Sequence, residues 1–240
     1  IMKNKFFLGL VLTLSIMMLV VNSYAAEPKM GGVLKVVVET DPSTLDPHAS
    51  GTTLNSIIAS HIFEGLYTLD KNLKVIPMLA ADLPEISDNK LVYTIKIRPG
   101  LKFHNGKEVT VEDAVVSIKR WGKMSSNGRN LFKYVASIEA KDPLTLELKL
   151  TKPIAITLVS LARHTGGAYV YPKDICEKYP DKPLEEFIGT GPFKFVEWKP
   201  QQYIKMVRFD EYKPVEFPAN GFGGKKVAYV DEIQFCPILD

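Results

Sequence analysis

"VYTIKIRPGLKFHNGKEVTVEDAVVSIKRW", residues 92–121, changes period twice, and the two changes decide the fold class. With Leu91 in front, Tyr93, Ile95 and Ile97 fall on one face and Thr94, Lys96 and Arg98 on the other. Strand side chains point to opposite sides in turn, so this alternation predicts a half-buried strand in an antiparallel sheet. Asn105-Gly106 follows, between Leu101-Lys102-Phe103 and Glu108-Val109. Both residues tolerate positive φ, which is what a tight hairpin requires. From Val111 the spacing becomes helical, with Val111, Ala114, Val115, Ile118 and Trp121 on one stripe. Thr110 is the expected N-cap, and Asp113 at N3 completes an acidic variant of the capping box.

The same stretch gathers His104, Glu108, Glu112 and Asp113, a set with the residue types of a metal or acid–base site. Each has a structural reading first. Glu112 and Asp113 occupy the first helical turn, where negative charge suits the helix dipole. His104 has no second ligand at a spacing such as His-x₃-His. No catalytic residue, no metal ligand and no cofactor is assigned.

Working outward, Gly31-Gly32 releases "VLKVVVE", 33–39, a β-branched run that reads as a mostly buried strand. Pro42 and Pro47 keep the next segment irregular. "SGTTLNSIIASHIFEGL", 50–66, reads as a helix with Leu54, Ile57, Ile58, Ile62 and Leu66 on one stripe, Thr52 or Thr53 capping it and Gly65 ending it. Hairpins are expected at Lys71-Asn72 and Asp142-Pro143, and a short apolar helix after Pro153. Strands resume at "FKFVEW" and "YIKMVRF". A Pro/Gly-rich loop, 213–226, leads to a last strand, "VDEIQFCPIL". This order predicts a mixed α/β protein in which an inserted lobe, Tyr67 to Ile188, interrupts another.

Lys3 and Lys5 precede an apolar run from Phe6 to Val21, and Ser23 and Ala25 are small residues suited to a signal peptidase. Residues 1–25 are therefore expected to be a secretory signal peptide. The run is short of the roughly 18 residues that span a bilayer. No cysteine lies near the cleavage point, so no lipid anchor is expected. The 30 basic and 27 acidic side chains nearly balance, which argues against a nucleic-acid partner. Cys176 and Cys236 read as two buried free thiols.

The opening stretch resembles closely the signature of the bacterial extracellular solute-binding proteins of family 5, the peptide- and nickel-type periplasmic receptors of ATP-binding-cassette importers. "GGVLKVVVETDPSTLDPH", "IFEGLYTLD", "PMLAADLPEISDNKLVYTIKIRPG", "IGTGPFKFVEWKP" and "YVDEIQFCPILD" match in the same order and carry the likeness over nearly all of Gly31 to Asp240. One departure is "VRFDEYKP", where the family usually has Arg-Asn-x-x-Tyr-Trp. The resemblance implies an α/β, periplasmic binding protein-like fold, two-lobed with an extra inserted α+β domain. Residues 26–66 and 189–240 then belong to the first lobe and 67–188 to the extra domain. The second ligand lobe is missing from the match, so the chain is expected to be an N-terminal portion.

The implied function is capture of a peptide or similar small solute in an interlobe cleft, by a periplasmic monomer that delivers it to the membrane permease subunits of the importer. It is not an enzyme. The alternatives are a secreted enzyme of hydrolase type, or a chemosensory or chaperone-like use of the same fold. The chain shows no Gly-x-Ser-x-Gly, His-Glu-x-x-His or Walker loop.

Two stretches are candidate ligand contacts. Ser50, Gly51, Thr52 and Thr53 offer hydroxyls and free N–H groups at a helix start, suited to a carboxylate or a peptide backbone. They resemble the Ser-Gly-Thr-Thr stretch of dipeptide-binding family members, in a cleft-facing loop. Simple N-capping is the equal alternative. Arg163 in "ARHTGG" carries a planar fork that suits a carboxylate, against the plainer reading of a cation at a helix C-terminus. Gly189-Thr190-Gly191-Pro192 reads as a turn into a strand. Tyr169, Tyr171 and Trp198 read as core, and His48, His61 and His164 as scattered surface or loop residues.

Overall fold

The computed structural model describes residues 28–238. The expected signal peptide lies outside them. The strand of the opening stretch is β5 (Val92–Lys96), and it lies in a four-stranded antiparallel sheet. Its order is β4 (Glu85–Ile86), β5, β7 (Thr145–Leu150), β6 (Val135–Asp142). The β6–β7 hairpin turns at Asp142-Pro143, where Asp142 Oδ1 accepts the Leu144 N–H at 2.9 Å. A second hairpin, β2 (Tyr67–Leu69) with β3 (Val75–Pro77), turns over residues 70–74, held by Asp70 Oδ1 accepting the N–H groups of Asn72 and Lys74.

The Asn105-Gly106 turn forms, but with one positive φ rather than two. Gly106 stands at φ 82° and donates to Phe103 O, while Phe103 N–H donates to Lys107 O. This is the three-residue loop, a tight turn followed by a left-handed glycine. The helix behind it, α2 (Val111–Met124), has the expected box: Asp113 N–H donates to Thr110 Oγ1 and Thr110 N–H to Asp113 Oδ2.

The other main sheet is mixed. Its order is β1 (Val33–Val38), β10 (Glu232–Pro237), β9 (Tyr203–Arg208), β8 (Phe193–Lys199). β1 runs parallel to β10, and the remaining pairs are antiparallel. Here two expectations fail. β1 is largely exposed, with Val33, Leu34 and Val37 open and only Val36 and Val38 packed inward. A β-branched run fits an interior strand, but β1 is the edge of the sheet, and no layer covers its outer surface among the described residues. The helix read over 50–66 is only α1 (Thr53–Ala59). It tightens at its end, where His61 N–H bonds Ile58 O and Ile62 N–H bonds Ala59 O, and Ile57 faces solvent. The chain then extends so that Gly65 can bridge Tyr169.

Buried apolar side chains form two clusters. The first joins β5–β7 to α2, with Ile95, Phe103, Val111, Trp121, Leu146 and Leu148 at its centre. The second packs α1 on the mixed sheet through Leu45, Ile58, Ile62, Phe63, Met206 and Phe235. Tyr171, Ile175, Cys176, Tyr179 and Leu184, from α5 (Lys173–Lys178) and its flanks, lie in this second cluster.

Several ties join the clusters, among them Ser117 Oγ with the backbone of Tyr171 and Asp113 Oδ1 with Lys173 N–H, and two sutures are more extensive. Gly191 packs against α1's exit, where a Cβ would stand 2.4 Å from His61 O, and its N–H donates to Ile62 O at 2.8 Å. His104 holds the same turn from the other side. Its Nε2 donates to Gly191 O at 2.9 Å, and its Nδ1 accepts Gly189 N–H at 3.2 Å. Burial pushes this imidazole down to about 4, consistent with the neutral form that this pairing requires. His104 is thus a structural clamp.

The second suture is the fully buried pair of Arg120, on α2, and Asp46, at 2.6 Å. Arg120 also donates to Tyr179 O and Lys182 O, and Asp46 accepts from Tyr171 Oη and Leu184 N–H. Burial alone would raise the Asp46 carboxyl. The Arg120 guanidinium and the His48 backbone N–H, which donates to Asp46 Oδ1 at 2.9 Å, overcome that and hold it below its usual range.

Candidate functional site

Loop 46–52 and loop 163–167 meet, each anchored from behind. Asn55 holds the first loop: its Nδ2 donates to Ser50 O at 2.8 Å and to Asp46 O at 3.3 Å. Thr52 caps α1, its Oγ1 accepting Asn55 N–H at 3.3 Å and lying 3.3 Å from Ser50 Oγ. Ser50 and Thr52 are therefore engaged in capping, whereas Thr53 is exposed and its hydroxyl makes no hydrogen bond with a described residue.

The second loop leaves α4 (Thr157–Ala162) at Arg163. Gly166 O accepts from Trp121 Nε1 at 2.7 Å and Ser125 Oγ at 2.9 Å, and Asn127 Nδ2 donates to Thr165 O at 3.1 Å. Gly166 has φ 60°, and a Cβ on Gly51 would lie 3.6 Å from its Cα. At Gly166 the positive φ favours glycine, whereas a Cβ on Gly51 would make ordinary van der Waals contact.

Between them opens a cavity of about 290 Å³, lined by His48, Ala49, Gly51, Met124, Ser125, Ser126, Asn127, Arg129, Arg163, Thr165 and Gly166. Of the residues read from sequence, Gly51 and Arg163 share this lining, and Ser50, Thr52 and Thr53 are outside it. Arg163 is exposed, and its guanidinium has no hydrogen bond or ion pair with any described residue, including the carbonyls that end α4.

Sequence reading missed Ser125, Ser126, Asn127 and Arg129. They open α3 (Ser126–Phe132), a helix for which no expectation was formed. The available signal was "MSSNGRN", 124–130, a polar run directly after an amphipathic helix. Arg129 Nη1 donates to Lys123 O at 3.1 Å and Met124 O at 2.7 Å, which fixes its guanidinium beside the opening.

His48 was read as a surface or loop residue and is instead fully buried behind the cavity. Its Nδ1 faces Arg120 Nη1 at 3.1 Å and its Nε2 faces Tyr169 O at 3.1 Å. Burial drives its pKa down to about 3, so it is neutral and rigidly placed. Tyr169 and Tyr171 are core, and Trp198 is half-buried with its Nε1 donating to Asp41 Oδ1. Cys176 and Cys236 are free thiols.

The lining has hydroxyl, amide and guanidinium donors and no carboxylate. It lacks the paired acid and base of a hydrolytic site. Among the described residues no group of three or more His, Cys, Asp or Glu is placed to hold a metal. The chemistry on offer is recognition by hydrogen bonds and positive charge.

The comparisons agree in kind. The GsiB glutathione-binding protein of Salmonella typhimurium (strain LT2) is 30% identical over 222 residues, 91% of this chain and 41% of the relative. That of Pectobacterium atrosepticum is 29% identical over 207 residues, 85% and 38%. The oligopeptide-binding protein AppA of Bacillus subtilis, solved with a nonapeptide, superposes with TM-score 0.72 at 28% identity, over 88% of this chain and 41% of that one. NikZ of Campylobacter jejuni, solved with Ni(L-His), gives TM-score 0.69 at 25% identity, over 86% and 39%. The chain spans about two fifths of the length of these relatives. Their α/β, periplasmic binding protein-like fold is the one seen here. The model of the family described as "Bacterial extracellular solute-binding proteins, family 5 Middle" matches residues 74–240, and the chain belongs to that family.

Proposed function

We propose that this chain forms the first ligand-binding lobe and the inserted domain of a periplasmic solute receptor. The receptor captures a peptide or similar small solute, glutathione included, and presents it as a monomer to the permease subunits of an ATP-binding-cassette importer. Its role is binding without catalysis. The carrying observation is the donor-rich cavity where Gly51 and Arg163 come together. Names of relatives that bind glutathione, a nonapeptide and Ni(L-His) support this solute range.

In this reading the solute closes a second lobe against the loops at Ser50–Thr53 and Arg163, and closure is driven by its higher affinity for the shut form. The split of the buried core supports an insert that begins at Tyr67 and ends nearer Val170 than Ile188. Export is supported by the leader pattern of residues 1–25. No helix of the described residues is long and apolar enough to cross a membrane.

Thermal melts against glutathione, di- and oligopeptides and sugars test it. A ligand-specific rise in Tm that grows with concentration is expected for at least one peptide-like solute. Turnover of such a solute with no lasting rise in Tm would overturn the reading in favour of an enzyme.

A further inference from the structure

The Pro/Gly-rich loop 213–226 is a strap bound along its length. Arg98, just past β5, donates to Pro214 O at 3.1 Å and Lys213 O at 3.2 Å, and Lys213 Nζ donates to Pro99 O at 2.9 Å. At the far end Lys226 pairs with the buried Glu64 carboxylate at 3.1 Å. Between these points the strap turns against the β2–β3 hairpin. Asn220 Oδ1 accepts Lys71 N–H at 3.2 Å, and Phe222 N–H donates to Leu69 O at 3.1 Å. Gly221 and Gly223 flank Phe222, and a Cβ at either would stand 2.5 Å from the hairpin, at Asp70 C or Thr68 Cγ2. The backbone of Phe222 is thus fixed, yet its ring is 48% exposed. The turn presents the ring instead of burying it.

What the ring meets is His164. The two rings stack with centroids 3.8 Å apart and planes 19° from parallel. His164 follows Arg163 in the loop that walls the candidate cavity, while Phe222 itself is outside the lining. The later part of that loop is held by its carbonyls, with Asn127 on Thr165 O and Trp121 and Ser125 on Gly166 O. The Arg163 end is held less firmly. The Arg163 guanidinium has no partner among the described residues, and His164 O accepts from Tyr169 Oη at 2.8 Å. Among the described residues the His164 imidazole makes no hydrogen bond, so the stack on Phe222 is the contact that orients it. We propose that Phe222 is a positioning residue for the solute site: through His164 it sets the Arg163 end of loop 163–167 in the conformation that a solute meets. The inference rests on the solute-binding reading above and adds a residue outside the cavity on which affinity depends.

Two measurements test it. Proton NMR of the solute-free protein reads the stack directly, with the His164 signals assigned by their loss in H164Q. Ring current from Phe222 should shift them upfield in the wild type and in F222Y, and the shift should vanish in F222A. Calorimetric titration with glutathione and with Ala-Ala-Ala then reads the consequence. F222A should weaken binding about three- to tenfold, the scale of one aromatic pair, with F222Y within about twofold of the wild type. F222L keeps apolar bulk without a ring and should bind as weakly as F222A. H164A should cost as much as F222A, and the double variant F222A/H164A no more than either, because both act through one contact. A ring that only stabilised the fold would lower Tm and leave Kd unchanged. Wild-type affinity in F222A or F222L, additive losses in the double variant, or unshifted His164 signals in the wild type would each overturn the inference while leaving the solute-binding reading intact. Absence of binding by both probes to the wild type would overturn the reading and the inference together.

Discussion

His104 and His48 show how single residues acquire roles the sequence does not display. Both are neutral because burial disfavours the imidazolium, with pKa values of about 4 and 3 against an ordinary 6.5. The unfolded chain takes up these protons below about pH 6.5 and the folded chain does not, so folding loses stability as pH falls from 6.5 toward those values. The His104 share is up to about 3 kcal/mol, and less for its partial exposure. Tm should therefore decline between pH 6.5 and 4. His104→Gln, which can still donate and accept, should lower Tm at pH 7 yet flatten that decline. An equally steep slope in the variant would show that His104 does not contribute. The capping role of Thr110 and Asp113 was legible because both partners lie within one helical turn. The burial of His48 was not, because Arg120 stands 72 residues away in sequence.

Periodic elements were legible wherever one neighbour settles their environment. The alternation of β5 and the stripe of α2 survive intact, because the sheet and the helix pack on each other through those faces, although α2 also buries Ser117 and Arg120 against Tyr171 and Tyr179 on another side. β1 and the 50–66 helix failed for a shared reason. β1 carries an interior strand's composition on an edge, and α1 is cut short so that the chain can reach Gly191 and Tyr169, contacts more than a hundred residues downstream. That reach is testable. Gly191→Ala would put a methyl 2.4 Å from His61 O, a backbone atom that cannot swing aside. The expected loss is about 1–3 kcal/mol, the usual cost of overpacking, read as a fall in the urea midpoint with unchanged m. Gly106→Ala is the control. It carries only the penalty of its positive φ, with nothing within 4 Å of the new methyl. If Gly191→Ala costs no more than Gly106→Ala, the close approach does not matter to the fold.

At the scale of the whole molecule, the candidate site depends on the two core clusters acting as one body, since one cavity wall comes from loop 46–52 and another from α2's exit. The family was legible through motifs, but this dependence was not, because neither suture is a motif. The two tryptophans divide between the clusters: Trp121 is fully buried in the first and Trp198 packs on the second. In W198F the fluorescence of Trp121 alone should unfold together with the far-UV signal, and in W121F that of Trp198 should do the same, as one cooperative transition requires. Arg120→Met removes the cation that pairs Asp46 and leaves a buried carboxylate uncompensated, at a cost of about 3–5 kcal/mol. Its larger effect should be on cooperativity. Arg120 also bonds the carbonyls of Tyr179 and Lys182, so its loss frees the second cluster from α2 at several points at once. R120M in the W198F background should therefore separate the Trp121 transition from the far-UV one, with Trp121 retaining its native signal to higher denaturant. Coincident curves in that double variant would mean that the remaining ties, His104 to Gly191, Ser117 to Tyr171 and Asp113 to Lys173 among them, are enough to make the clusters a single folding unit.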